Sequence, residues 1–163
     1  MAPGDGRRTG RIVIVALSMA LVAGCGLAGR QRTPPASPNA LPPFDPAQIA
    51  RGRRVYVQYC ARCHGTNAEG APHWQVPDAR GDMPAPPHDD RGHTWRHSDA
   101  QLTEVIRNGL RDPFNQTPEL TMPPFRTQLT DAQARDVLVY FKSLWSPEHR
   151  RYQEEQNHRP AAP

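Results

Sequence analysis

The chain reads as an all-α domain, on three observations. A capping residue followed at the third position by glutamine occurs three times, as Asp45-Pro46-Ala47-Gln48, Ser98-Asp99-Ala100-Gln101 and Thr130-Asp131-Ala132-Gln133. In that arrangement the cap side chain and the glutamine satisfy amides that the first helical turn leaves open. Behind each cap, apolar residues recur at spacings of three and four, and no period-two alternation competes with them.

The first helix is predicted from about Pro46 to Tyr59, with Ile49, Gly52, Tyr56 and Tyr59 along one face and proline at the first helical position. A second, from about Asp99 to Asn108, carries Leu102, Val105 and Ile106 and stops at Gly109, a residue suited to a left-handed turn. A third, from about Asp131 to Trp145, buries Ala134, Val137, Leu138, Phe141 and Leu144 and ends before Pro147. Between the first two lies a proline-rich loop, His73 to His97, too long to be self-evidently ordered and in want of support such as a bound cofactor. Residues 147–163 are polar and charged and read as a mobile tail.

The N-terminal end is organised differently. Arg7, Arg8 and Arg11 precede the apolar run Ile12 to Val22, which closes in small residues before Cys25. Eleven apolar residues fall short of the roughly 20 needed to cross a bilayer, so 1–24 reads as a secretory signal peptide. The segment Leu21 to Cys25, LVAGC, resembles the lipobox of bacterial lipoproteins, which implies lipidation of Cys25 and a membrane anchor. The expected location is the extracytoplasmic face of a bacterial membrane. Residues 25–44, dense in proline, alanine and serine, read as a linker between that anchor and a folded domain at 45–146.

With 19 prolines, 12 glycines and 37% hydrophobic residues in 163, the packed region is smaller than the chain. Removal of residues 1–24 takes away three arginines and Asp5 and lowers the formal charge from +4 to +2. So small an excess, without a basic face interleaved with aromatics, argues against nucleic-acid binding. No catalytic dyad or triad is legible: Asp89 and Asp90 are neighbours in a loop and read as a solvated turn.

The chemistry lies in Cys60-Ala61-Arg62-Cys63-His64. A structural zinc site takes four ligands and would have to recruit loop histidines. A thiol-disulfide redox pair belongs in a βαβ setting, and this pair follows a helix. A plain disulfide of an exported protein is a further alternative. The reading that uses all three side chains is covalent attachment of c-type haem, with both thiols bonded to the macrocycle and His64 on the iron.

On these residues the sequence resembles the monohaem class I cytochromes c over roughly 45–146. Gly52 and Tyr56 in the first helix and Tyr140 in the last resemble the family's helix crossing. Met-Pro-Pro-Phe at 122–125, followed by the last helix, resembles its distal-ligand loop. The resemblance implies the class I cytochrome c fold, three main helices around one covalently bound haem c, with His64 and Met122 as axial ligands.

Met122 lies 58 residues beyond His64, far enough to approach the haem from the opposite side, and Pro123-Pro124 stiffen its backbone. Met83, only 19 residues beyond His64, and the histidines His88, His93 and His97 are the rivals. His93 and His97 would also share a face if helical and hold a second metal. With both axial positions filled, the expected chemistry is one-electron transfer and not catalysis on a diffusible substrate. The expected partners are redox proteins, with the chain either a tethered carrier between extracytoplasmic partners or the haem c subunit of a multisubunit dehydrogenase or oxidase. A haem sensor or enzyme with a labile distal site is the remaining alternative.

Overall fold

The computed structural model describes residues 41–113, 118–119 and 121–159. Cys25, the expected signal sequence and most of the expected linker lie outside them. The described chain forms α1 (Pro46–Tyr59), the short α2 (Ala61–His64), a 3-10 turn (Thr94–Arg96), α3 (Asp99–Asn108), α4 (Asp131–Ser143) and α5 (Pro147–His158). Among the described residues no strand forms, only one isolated antiparallel bridge between Leu110 and Met122.

The helix starts lie where the caps place them. Ser98 with Gln101 and Thr130 with Gln133 each complete a reciprocal capping box, so α3 and α4 begin with satisfied amides. At α1 the Asp45 carboxylate instead accepts from the Ala47 amide at 2.9 Å, and Pro46 takes the first turn. α3 ends at Gly109 with φ 77°.

Packing of α1 across α4 organises the core. Gly52 lies against the Asp136 carbonyl so closely that an added Cβ would sit 1.9 Å from that oxygen. One turn on, Tyr56 is wholly buried, its ring 5.2 Å from Tyr140 and edge-on to Phe141 at 5.8 Å. Its hydroxyl donates to the Gly65 carbonyl at 2.6 Å, tying this crossing to the chain just after His64. Around these rings close Leu102, Ile106, Leu129, Ala134, Val137, Leu138 and Trp145, with Ile49, Tyr59, Cys60 and Met122 packed on the outside.

One expectation is corrected. The segment after residue 146 is helical over most of its length. Ser146 caps α5, Pro147 starts it, and its inner face is polar, which hid it from a search for apolar periodicity. Gln153 is 1% exposed and donates to Asp99 Oδ1 at 2.7 Å and to the His97 carbonyl at 3.3 Å, while Asn157 Oδ1 accepts from the Asp99 amide at 2.8 Å. Arg150 donates to the Pro42 carbonyl at 2.7 Å and lies 4.2 Å over the Phe44 ring. We expect Gln153→Ala to cost about 1–3 kcal/mol, the penalty for leaving buried polar partners unmet. Urea unfolding checks it, with Glu155→Ala on the exposed face as a near-neutral control.

The 73–97 loop also has hydrogen bonds of its own. Ala71 N donates to Ala85 O at 2.8 Å and His88 N to Ala68 O at 2.9 Å, while Asp78 gathers the Arg80 and Asp82 amides into a turn. The Ala71–Ala85 and His88–Ala68 bonds use backbone groups alone, which carry no side-chain signature in the sequence.

Candidate haem site

Cys60 ends α1 and caps α2, so the attachment motif is a single helical turn on the end of the helix that crosses α4. Cys63 N and His64 N both donate to the Cys60 carbonyl, at 3.1 and 3.0 Å. The two thiols are not joined in a disulfide; Cys60 is half-buried against the core and Cys63 is exposed. Burial, and to a lesser degree the neighbouring Cys63, pushes the Cys60 thiol up to about 12.

His64 is buried at 8% exposure, and its Nδ1 lies 2.8 Å from the Pro86 carbonyl. A carbonyl only accepts, so Nδ1 carries the proton and Nε2 keeps its lone pair. Burial lowers the His64 pKa, against a smaller upward pull from that hydrogen bond, which holds the ring neutral. A neutral imidazole with one nitrogen fixed on a backbone carbonyl is the form that binds a metal. The donor set therefore fits a haem iron on His64, with both thiols on the same turn.

His88 stands beside His64, not across from it. The two ring centroids are 4.2 Å apart at 31°, and the other face of His88 stacks on Phe141 at 4.1 Å and 24°. Its Nδ1 is 2.9 Å from Thr94 Oγ1, and its backbone carbonyl accepts from Trp145 Nε1 at 2.8 Å. Burial, followed by the proximity of His64 and His93, holds its pKa well below the usual histidine range. With iron on His64, a ring in contact with it would stand on the same side of the haem, which is the wrong side for a second ligand.

His93 and His97 flank the 3-10 turn, and their rings meet edge-to-face at 5.6 Å. Since the chain between them is not α-helical, they do not line up on a helix face. Among the described residues no group of three or more His, Cys, Asp or Glu is placed to hold a metal ion. Trp95 packs on α5: its ring stacks on His149 at 3.8 Å and 8°.

Met122 is half-buried and packs on the core that Cys60 also touches. Its backbone is held from two directions. Leu110 N and Met122 N each donate to the other's carbonyl at 3.0 Å, and Phe125 N donates to Ile106 O at 3.0 Å. Phe125 meets Tyr59 edge-on at 6.3 Å, which brings the 122–125 segment beside the end of α1 that carries Cys60. Met83 is half-buried in the 73–97 loop. Sequence reading missed Pro86, Thr94 and Trp145. Pro86 acts through its carbonyl, a group every residue has, so no residue type could have marked it.

A helical fold that closes on Tyr56, and a C-x-x-C-H turn whose histidine is locked by a backbone carbonyl, define a class I c-type cytochrome. Such a protein carries covalently bound haem c and transfers electrons. The chain belongs to the family described as cytochrome c oxidase, cbb3-type, subunit III, whose profile matches residues 47–141. It is also 32% identical over 100 residues to the cbb3-type cytochrome c oxidase subunit CcoP of Azospirillum sp. (strain B510). That alignment covers 61% of this chain, and the chain spans 30% of the length of that relative. No solved structure matches it. Among the described residues no helix is long and apolar enough to cross a membrane.

Proposed function

We propose that the chain is the tethered haem c subunit of a multisubunit terminal oxidase, passing single electrons toward its catalytic chain. The observation that carries the reading is the His64 Nδ1–Pro86 contact at 2.8 Å, which leaves Nε2 for iron in the turn that holds both thiols. Bound haem c supplies a reversible one-electron ferric–ferrous couple. Cys60 and Cys63 would hold the macrocycle, and His64 and Met122 would ligate its iron.

Two roles of this chain follow from its own residues. Pro86 fixes the orientation of His64. The Leu110 bridge and the Pro123-Pro124 pair restrain Met122, so that a weak thioether donor stays in place. A secretory signal at 1–24, lipid on Cys25 and the 25–44 linker would hold the domain at the extracytoplasmic membrane surface. Of the two electron-transfer settings open from sequence, an independent carrier and an oxidase subunit, the family and its relative support the subunit.

The test is co-purification. The detergent-solubilised, C-terminally tagged protein is expected to bring with it a chain that consumes oxygen when supplied with a reductant, in constant stoichiometry. A monomer that exchanges freely and carries no oxygen consumption would return the reading to an independent carrier. A strongly negative midpoint potential would count against histidine–methionine ligation.

A further inference from the structure

An electron relay has to meet one partner that gives and another that takes. The exposed Cys63 end of the attachment turn offers one approach to the haem. The loop that fixes His64 offers another, through Trp95.

Trp95 is half-buried in the 3-10 turn, stacked on His149 and edge-on to Tyr152 at 5.4 Å, and Tyr152 is itself 38% exposed. The Arg96 guanidinium lies 4.9 Å over the indole. His149 is steadied in that stack by Asp90, whose Oδ1 is 2.7 Å from its Nδ1. This aromatic cover is thus firmly placed at the surface, with cationic charge on it.

Inward from the indole the contacts are continuous. Trp95 Nε1 donates to the Gly92 carbonyl at 3.0 Å. Gly92 is packed against Pro87 so tightly that a Cβ there would lie 2.0 Å from the Pro87 oxygen. A parallel link runs through Thr94, whose Oγ1 donates to the same Pro87 oxygen at 3.4 Å. Pro87 follows Pro86, and the Pro86 carbonyl accepts from His64 Nδ1. From surface indole to axial imidazole the path consists of covalent bonds, hydrogen bonds and one close packing contact. Electronic coupling falls off far more slowly along such a path than across empty space.

We propose that Trp95, under its cover of His149 and Tyr152, is a second electron port, through which a one-electron redox protein with an acidic face exchanges electrons with the haem by way of Pro86 and His64. This rests on His64 being the axial ligand, as proposed above. In the inward direction one electron leaves the partner, which is oxidised by one, and arrives at the iron, which goes from ferric to ferrous. No bond forms or breaks, and His64 keeps its proton on Nδ1. The Arg96 charge suits an acidic partner surface. Spatial continuity alone does not demonstrate coupling, so the test measures the coupling itself.

In the full-length holoprotein, Tyr152→Cys carries a photoreducing ruthenium polypyridyl complex, and haem reduction is timed after a flash. A parallel series carries the complex on Val57→Cys, an exposed position of α1. Trp95→Phe keeps a ring on His149 and loses the N–H; Trp95→Leu loses both. Both substitutions are expected to slow reduction from position 152 several-fold, leaving reduction from position 57, the absorption spectrum and the midpoint potential unchanged. An unchanged rate from position 152 in Trp95→Phe overturns the proposal, and so does equal slowing from both labels, which would place the effect at the haem. If the parent protein's spectrum shows His64 off the iron, the ligation reading fails, whatever the Trp95 rates.

Discussion

Met122→Ala is expected to convert a haem indifferent to carbon monoxide into one that binds it, and to lower the midpoint potential. The drop should be a sizeable part of the roughly 0.8 V that axial ligands span across haem proteins. A thioether favours ferrous iron, and without it water fills the position and ferric iron gains. The fold should survive. The Leu110–Met122 bridge and the Phe125–Ile106 bond use backbone atoms that alanine retains. Carbon monoxide difference spectra and a redox titration read both changes. Met83→Ala serves as the control, expected to leave both unchanged; carbon monoxide binding to the unaltered protein would instead mark the distal site as labile and bring a sensor or enzyme role forward.

Gly52→Val is expected to remove a substantial share of the domain's stability. Even the first carbon of a side chain meets the Asp136 carbonyl at 1.9 Å, and the obstacle is helix backbone, so α1 and α4 must part. Overpacking costs about 1–3 kcal/mol and occasionally more, against a total stability of about 5–15 kcal/mol. Parting these helices also disturbs Tyr56, whose hydroxyl holds the Gly65 carbonyl beyond His64. The loss should therefore appear in two readouts: a lower urea midpoint, and an earlier change of the haem spectrum as axial ligation fails. Ala50→Val, exposed on the same helix, should cost only a fraction of that through helix propensity. Equal midpoints for the two variants would show that the crossing relaxes easily.

What the sequence discloses follows the kind of group that carries each feature. Helix ends were legible because capping needs particular side chains at fixed spacing, and Ser98, Gln101, Thr130 and Gln133 are those side chains. The haem turn was legible because sulfur and imidazole have few other uses at that spacing. α5 was not, since its one buried residue is the polar Gln153. His88 shows a further limit: spacing makes it a candidate ligand but cannot say where it lies relative to His64, and only the fold brings the two rings to 4.2 Å. The Pro86 contact depends on a backbone carbonyl that tertiary structure alone brings to the ring.

Cys60 also constrains the order of events in biogenesis. Thiols react as thiolates, and burial holds this one protonated up to about pH 12, wedged between the end of α1 and the core. Once the domain has closed, Cys60 is therefore a poor nucleophile. The helix that packs across α1, α4, begins 71 residues later in the chain. Attachment is accordingly expected to go faster on a chain in which the motif has emerged and α4 has not yet docked, so that the domain folds around its cofactor.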